Sequence, residues 1–422
     1  MRVAIVGAGI SGLSAAHALR GRHQVVLYER EQLAGGHTCT VSVTAAGRTV
    51  AVDMGFIVYN RPTYPRFSAL LDELEVASQP TDMSFGHVCQ RCRLEFGSVG
   101  LAGFLAQPEA LIRRDHWRML ADLRRFHADA RRRLAEPEPS QDTLADLLDA
   151  GGYGSMFREH FLVPVVSAIW STAADAVRDF PAQMLLRFLD NHGLIGFRQG
   201  KPWRTIVGGS STYVRRIVAG LDPGSVRLGA PVEAIRRVAS GVRVRSAGHP
   251  EERFDALVLA TPADVARSLL GDADPAEATA LEQFEYTTNE VVLHTRASLL
   301  PRHARARGSW NVTTVDCSRP AAALTMTYDM TRLQRLPVGP LLVSVNPGRL
   351  VADADVLARR EMRHPRFTQR TLSGQRALLE LQGHRRTWHA GAHLGYGFHE
   401  DGCRSGQLAA QAIDAERSLL VA

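Results

Sequence analysis

The sequence predicts an α/β protein in which a parallel sheet flanked by helices is interleaved with a second, α+β domain. Two observations carry that expectation. Residues 1–30 read as strand, glycine turn, helix, strand, and residues 203–260 return to that kind of pattern after a long, mostly helical excursion. At 422 residues the chain also exceeds what one core usually organises.

Taken in order, Arg2 to Val6 is a short buried strand, Gly7-Ala8-Gly9-Ile10-Ser11-Gly12 a glycine turn, Leu13 to Leu19 the opening of a helix, and Gln24 to Glu29 a second strand. In such a βαβ unit Gly7 permits the tight turn, Gly9 lets backbone approach a pyrophosphate, and Gly12 lets the helix pack on the strand. The helix N-terminus then offers free N–H groups and a positive dipole end. Glu29, closing the second strand, is placed to accept from ribose hydroxyls. These features predict a Rossmann-like dinucleotide site, with Ser11 in the turn and Arg30 after the acid among its residues. A second doublet, Gly35-Gly36 before His37 and Thr38, predicts another close backbone approach to the same ligand. A hairpin from Thr40 to Val52 then leads into Asp53-Met54-Gly55-Phe56.

Composition excludes several classes. With 45% hydrophobic and 22% charged residues the chain reads as an ordinary globular protein. The net charge is +7, yet Lys201 is the only lysine, so the basicity is arginine usage and no nucleic-acid partner is expected. Five scattered cysteines, Cys39, Cys89, Cys92, Cys317 and Cys403, do not make a disulfide framework and fit a reducing cytoplasm. The chain enters its first strand at once and has no apolar run of about eighteen residues, so neither a leader nor a membrane span is expected.

Further along, Tyr64 to Leu74 predicts a helix and Ser84 to Phe96 a hairpin. His87, Cys89 and Cys92 offer three zinc ligands there, but no second Cys/His pair completes a four-ligand site, so no metal is expected. In Arg113 to Arg133, Trp117, Leu120, Leu123 and Phe126 recur at helical spacing among arginines. That predicts a packed helix with a solvated face, and makes the segment a candidate for peripheral contact with anionic lipid. Trp203 to Arg216 reads as strand, glycine turn and helix. Strands follow at Val226–Val232, Ala234–Val238, Gly241–Ser246 and Ala256–Ala260. A second sheet is expected from Glu285–Thr295, Ala321–Asp329 and Leu341–Asn346. Trp388–Gly391 is the last strand and Ser405–Leu419 a closing helix.

The order GAGISG, terminal Glu29, GGHT and DMGFIVYN resembles the FAD-binding half of the flavin amine oxidase, protoporphyrinogen oxidase and phytoene desaturase superfamily. Together with Asp82-Met83-Ser84-Phe85, Ala168-Ile169-Trp170-Ser171, Asn191-His192-Gly193-Leu194, Ser309-Trp310-Asn311 and Gly397-Phe398-His399-Glu400-Asp401-Gly402, it is similar to a bacterial branch of FAD-dependent oxidoreductases. The resemblance spans essentially the whole chain. It implies non-covalent FAD and a Rossmann-like FAD-binding domain of the glutathione reductase/amine oxidase type, formed by residues 1–60, 205–270 and 375–422. The α+β substrate domain would comprise 61–204 and 271–374, with a helical insertion at about 100–200.

The resemblance also implies site residues. Gly36, His37, Thr38, Gly55 and Phe56 would approach the flavin, and Val232 would hold the adenine through its backbone. The strand ending near Gly391 and a helix starting after Gly402 would close the site. N–H groups around Cys403 to Gly406 would then face the pyrimidine edge of the ring. Relatives carry an acid just after that strand's glycine. Here Ala392 and His393 follow Gly391, which leaves Glu400 or Asp401 to supply the carboxylate, or to serve as ordinary helix-start acids.

For catalysis, His192 and His399 are the acid–base candidates. Lys201 is the candidate for the lysine–water pair typical of amine-oxidising relatives. Trp170, Trp203, Trp310, Phe56 and Tyr59 suit an apolar cavity. The expected activity is dehydrogenation of a hydrophobic substrate, a fatty acyl or lipid chain, with electrons passed to oxygen or another acceptor. The alternatives are a flavin amine oxidase and a flavin-binding accessory protein without turnover.

Overall fold

The computed structural model describes residues 1–138, 140–196, 201–318 and 324–421. Gly200 beside Lys201, Pro139 of a Pro/Glu stretch, and residues 321–323 of one expected strand lie outside them.

Every strand of the first sheet is parallel. Its order is Val226–Arg227, Gln24–Tyr28, Arg2–Val6, Ala256–Leu259 and Thr387–His389, so residues from both ends of the chain lie side by side. Alternation within Arg2–Val6 explains how both faces are covered. Val3 and Ile5 pack with Leu13, Ala16, Ile217, Ala410 and Ile413 on one face. Ala4 and Val6 pack with Ile235, Val244, Phe254 and Leu281 on the other.

On the first face the helix Ile10–Leu19 lies against the closing helix His399–Val421. They approach so closely that a Cβ on Gly406 would sit 2.0 Å from the Ser11 carbonyl oxygen, and one on Gly402 would sit 2.7 Å from Ile10 Cγ2. The opposite face carries the antiparallel meander Val232–Val238, Gly241–Ser246 and Glu252–Phe254, with the helices Ala263–Leu269, Pro275–Glu282 and Gln369–Glu380.

The second sheet runs Val356–Arg366, Glu285–His294, Leu342–Val345, Leu324–Asp329, Trp310–Thr314, Phe85–Cys89 and Glu95–Gly97. All neighbours are antiparallel except Trp310–Thr314 with Phe85–Cys89. The strand Val356–Arg366 has no counterpart in the sequence reading. It is an edge strand, VLARREMRHPR, whose charges hide the apolar alternation by which strands are recognised.

The helical insertion spans Gly100–Phe104 to Ala182–Asn191. Its longest helix, Arg114–Leu134, buries His116, Met119, Phe126, His127 and Ala130. Trp117, expected on that stripe, is instead 41% exposed and donates from Nε1 to the Leu111 carbonyl.

Candidate functional site

The two glycine segments lie against each other. Gly35 N–H donates to the Ala8 carbonyl at 2.8 Å, and Gly9 and Gly35 form a bridge. A Cβ on Gly7 would meet the Ala260 carbonyl oxygen at 2.6 Å and one on Gly12 would meet the Gly7 carbonyl oxygen at 1.9 Å, so both are tied to close packing. Gly9 differs, because a Cβ there meets nothing within 4 Å. It opens onto free space at a helix N-terminus that has no side-chain cap. Glu29 accepts from Ala8 N–H at 2.8 Å and Glu31 N–H at 3.0 Å, so its carboxylate borders the same turn. Arg30 points outward and pairs with Glu31.

His37 and Thr38 follow the doublet. Gly36 and His37 are exposed on the open side, while Thr38 is buried. Thr38 Oγ1 shares a 2.5 Å hydrogen bond with the Tyr213 hydroxyl and lies 3.0 Å from His399 Nε2. His399 Nε2 also reaches the Tyr213 hydroxyl at 3.2 Å, and the imidazole stacks on Phe56 at 3.6 Å. Phe67 sits edge-on to Phe56, Tyr213 and His399. Burial first, and the neighbouring His37 second, hold His399 well below the ordinary histidine range, so it is neutral.

His37 also meets His364, ring to ring at 5.0 Å. His364 lies on the unrecognised edge strand, and burial and His37 lower its pKa to about 3. Its Nδ1 accepts from the Asn289 amide at 2.8 Å, which places its proton on Nε2.

A continuous chain of buried aromatic side chains links this cluster to His192. Phe67 meets Tyr59, Tyr59 meets Tyr64, and Tyr64 meets His192 at 6.3 Å, while Phe398 lies 6.3 Å from His192 on the other side. His192 Nδ1 donates to the Phe188 carbonyl at 2.9 Å, and Nε2 is buried without a partner among the described residues. Burial lowers the His192 pKa to about 4. Lys201 Nζ donates to the Asn191 carbonyl, at the C-terminal end of the helix Ala182–Asn191, where a cation complements the dipole. Trp170 and Tyr59 are core side chains, 4% and 1% exposed. Both of their polar atoms are paired, Trp170 Nε1 with the Tyr396 carbonyl and Tyr59 OH with Ser78.

The closing helix begins at His399, not after Gly402. Its first-turn acids explain the earlier start. Asp401 accepts from Phe398 N–H at 3.1 Å, the reach-back of a capping box, and burial pushes its pKa up to about 6. Glu400 accepts from Arg66 and Phe67 N–H and so caps the helix Pro65–Glu73. Both carboxylates are therefore held by protein groups. Cys403 to Gly406 lie inside the helix, Gly402 N–H already bonds the Phe398 carbonyl, and Cys403 is fully buried. The free N–H groups at this end belong to His399, Glu400 and Asp401.

Asp53 is fully buried. It accepts from the Ser210 backbone and hydroxyl, from Thr40 Oγ1 and from Gln334 Nε2, while Gln334 Oε1 accepts from Asp53 N–H. It thus ties the strand Arg48–Asp53 to the start of the helix Ser211–Ala219 and to the end of the short helix Met330–Leu333 within the second sheet. Gly55 is equally constrained, since a Cβ there would lie 2.1 Å from the His37 carbonyl oxygen. Gly391 donates its N–H to Ser405 Oγ, and Val232 lies at a bulge in the meander.

Residues 10–364 match the model of the flavin containing amine oxidoreductase family. The chain belongs to that family. This flavin-dependent oxidoreductase uses the family's usual cofactor, FAD. Its fold is similar to that of cyclohexylamine oxidase from Brevibacterium oxydans IH-35A, at 20% identity, TM-score 0.70 and 99% coverage of each chain. A fatty acid isomerase from P. acnes that produces CLA matches at 16% identity and TM-score 0.70, covering 97% of this chain and 98% of that one. Putrescine oxidase with putrescine bound matches at 15% identity and TM-score 0.68, covering 98% and 99%. A search of curated proteins finds no match.

The sequence reading did not single out Tyr213, Phe67, Tyr64 or His364. Tyr213 meets Thr38 across 175 residues, and no local spacing signals such a pair.

Proposed function

We propose that the chain dehydrogenates a hydrophobic substrate, a fatty acyl or similar apolar chain, with FAD held by its first sheet. The observation that carries this reading is the placement of Lys201. A flavin amine oxidase would be expected to keep its lysine available for a water at the flavin, whereas the one lysine of this chain donates its ammonium to the Asn191 carbonyl at a helix end. The packing between His399 and His192 is aromatic, and both imidazoles are neutral, surroundings that suit an apolar chain better than an ammonium. The shared fold with a fatty acid isomerase supports an acyl substrate; the shared fold with amine oxidases keeps the amine alternative in the test.

The residues fit the cofactor. Gly9 leaves space a Cβ would fill, beside uncapped N–H groups of Ile10, Ser11 and Gly12 that suit a pyrophosphate. Glu29 retains lone pairs for ribose hydroxyls beyond the two N–H groups it accepts. Gly36, His37, Thr38, Gly55 and Phe56 would border the ring system, with the first N–H groups of the closing helix at its far side. Val232 and Gly391 would line the adenine and phosphate sides. Bound FAD supplies the hydride acceptor. His192 is the residue assigned to take a proton, because its Nδ1–H is fixed on Phe188 and Nε2 keeps its lone pair. His399 is a positioning residue, its Nε2 being held by Thr38 and Tyr213.

A peripheral membrane surface belongs to the same reading. Val99, Leu101, Leu111, Ile112 and Trp117 are exposed, Ile112 by 84%, on two segments joined by the hydrogen bond of His116 Nε2 to the Phe104 carbonyl. Arg114 and Arg118 flank them and suit anionic headgroups.

Anaerobic titration of the yellow protein tests the activity. Bleaching by a lipid extract but not by amines is the expected result. Bleaching by amines alone would transfer the assignment to amine oxidation. No bleaching by any reductant in a broad panel would leave the accessory role, and colourless protein that takes up no FAD would overturn the reading.

A further inference from the structure

We propose that Cys89, Cys92, Cys317 and His160 form a zinc site that clamps the edge of the second sheet to the helical insertion. The sequence shows only the Cys89-Gln90-Arg91-Cys92 pair, the spacing of half a zinc site, and the fold supplies the rest. The pair sits where the strand Phe85–Cys89 turns toward Glu95–Gly97, with Cys89 N–H donating to the Leu94 carbonyl at 2.9 Å.

His160 arrives from the helical insertion. It occupies a single π-helical turn, Arg158–Leu162, a distortion that often marks a functional position. Its Nε2 lies 3.8 Å from Cys92 Sγ, and one ligand atom each from Cys89, Cys92 and His160 fall within 4.8 Å of one another. The imidazole is 5% exposed, and its Nδ1 has no partner among the described residues.

Cys317 arrives by strand register. Trp310–Thr314 runs parallel to Phe85–Cys89 with Thr314 opposite Cys89, so the chain leaving that strand passes directly over the thiol pair. The Cys317 thiol interacts electrostatically with those of Cys89 and Cys92, which places it as the fourth donor beside the Cys89, Cys92 and His160 cluster. Arg91 Nη1 fastens this crossing to Asp316 at 2.9 Å.

The donor set selects the ion. Thiolates with an imidazole in a four-coordinate arrangement suit Zn²⁺ rather than the oxygen-seeking Mg²⁺ or Ca²⁺. Tetrahedral Zn–S bonds near 2.3 Å put sulfurs about 3.8 Å apart, so contraction of about 1 Å or less closes Cys89, Cys92 and His160 onto an ion. The thiols bind as thiolates and release their protons to solvent, and the imidazole binds neutral. Four protein ligands leave no open position, which makes the site structural. A cavity of about 770 Å³, lined by Cys89, Cys92, Glu95 and Arg113 among others, gives the ion its route in. None of the four ligands belongs to the cluster around His37 and His399.

Full-length protein expressed with added zinc and then desalted tests the site. About one zinc per chain is expected by mass spectrometry of the metal, falling at least tenfold in Cys92→Ser and in Cys317→Ser and unchanged in Cys39→Ser. Flavin content reports folding of each variant. Co²⁺ added to metal-stripped wild type needs no mutation. It is expected to give thiolate-to-metal charge-transfer absorption with tetrahedral d–d bands. Less than about a tenth of an equivalent of zinc with no cobalt spectrum would overturn the proposal. So would a Cys89–Cys92 disulfide in freshly purified protein, or an unchanged tetrahedral cobalt spectrum in Cys317→Ser.

Discussion

Thr38 and His399 stand 361 residues apart in sequence, yet Oγ1 of one lies 3.0 Å from Nε2 of the other. That hydrogen bond joins the loop after the second glycine doublet to the first turn of the closing helix. His399→Ala removes the link and the stacking on Phe56 without touching the glycine cradle. We expect such protein to keep its FAD, while anaerobic flavin reduction slows by about tenfold to a hundredfold, the effect of a misplaced reacting group. A positioning role lowers kcat more than it raises KM. Loss of FAD with unchanged reduction in the residual holoenzyme would refute it.

Gly9→Val fills the space that Gly9 leaves open, with its Cβ more than 4 Å from other protein groups. The variant is expected to fold, with unchanged far-UV circular dichroism, and to carry no FAD after reconstitution. Flavin absorbance per protein is the measurement, and wild-type occupancy would refute the cradle assignment.

Acid sensitivity follows from the buried imidazoles. Burial depresses His192 and His294 to about 4, and His364 and His393 to about 3, below the ordinary 6.5. A depressed folded-state pKa stabilises above the unfolded value and is lost as pH falls through the folded one. Each such group therefore contributes a slope of about 1.4 kcal/mol per pH unit between pH 6.5 and its folded value. Asp53 and Asp401, raised to about 6, oppose this on acidification over a narrower window, from 6 down to 3.8. The net expectation is a melting temperature that falls from pH 6.5 toward 4, measured by calorimetry. His294→Gln should flatten the slope.

Membrane contact is tested on the exposed apolar segments. Leu111→Ser with Ile112→Ser is expected to reduce sedimentation with anionic vesicles by about tenfold or more, since each leucine or isoleucine inserted contributes roughly 1.5–3 kcal/mol. Flavin content should not change. Equal sedimentation of wild type and variant would place the contact elsewhere or nowhere.

Local features were legible in the sequence. The βαβ unit, the hairpin after Gly36 and the helix Ser211–Ala219 depend on residues close together, where glycine placement and apolar period speak directly. The far end of the site was harder to read. Gly402 suggested that the helix starts after it, but its missing side chain serves contact with Ile10, and the helix already runs through it. The strand Val356–Arg366, which brings His364 to His37, carries charges because it is an edge. His160 meets Cys92 across 68 residues, so a single Cys pair gave no hint of its partners.

The packing of Gly402 and Gly406 on Ile10 and Ser11 has a consequence for biosynthesis. The first helix leaves the ribosome well before its mate, which follows it by most of the domain. Until then its apolar side stays uncovered, and the flanking strand Thr387–His389 is missing from the sheet. Completion of the nucleotide fold therefore waits for the closing helix, and a chain arrested ahead of residue 399 is expected to be captured by chaperones and to carry no flavin.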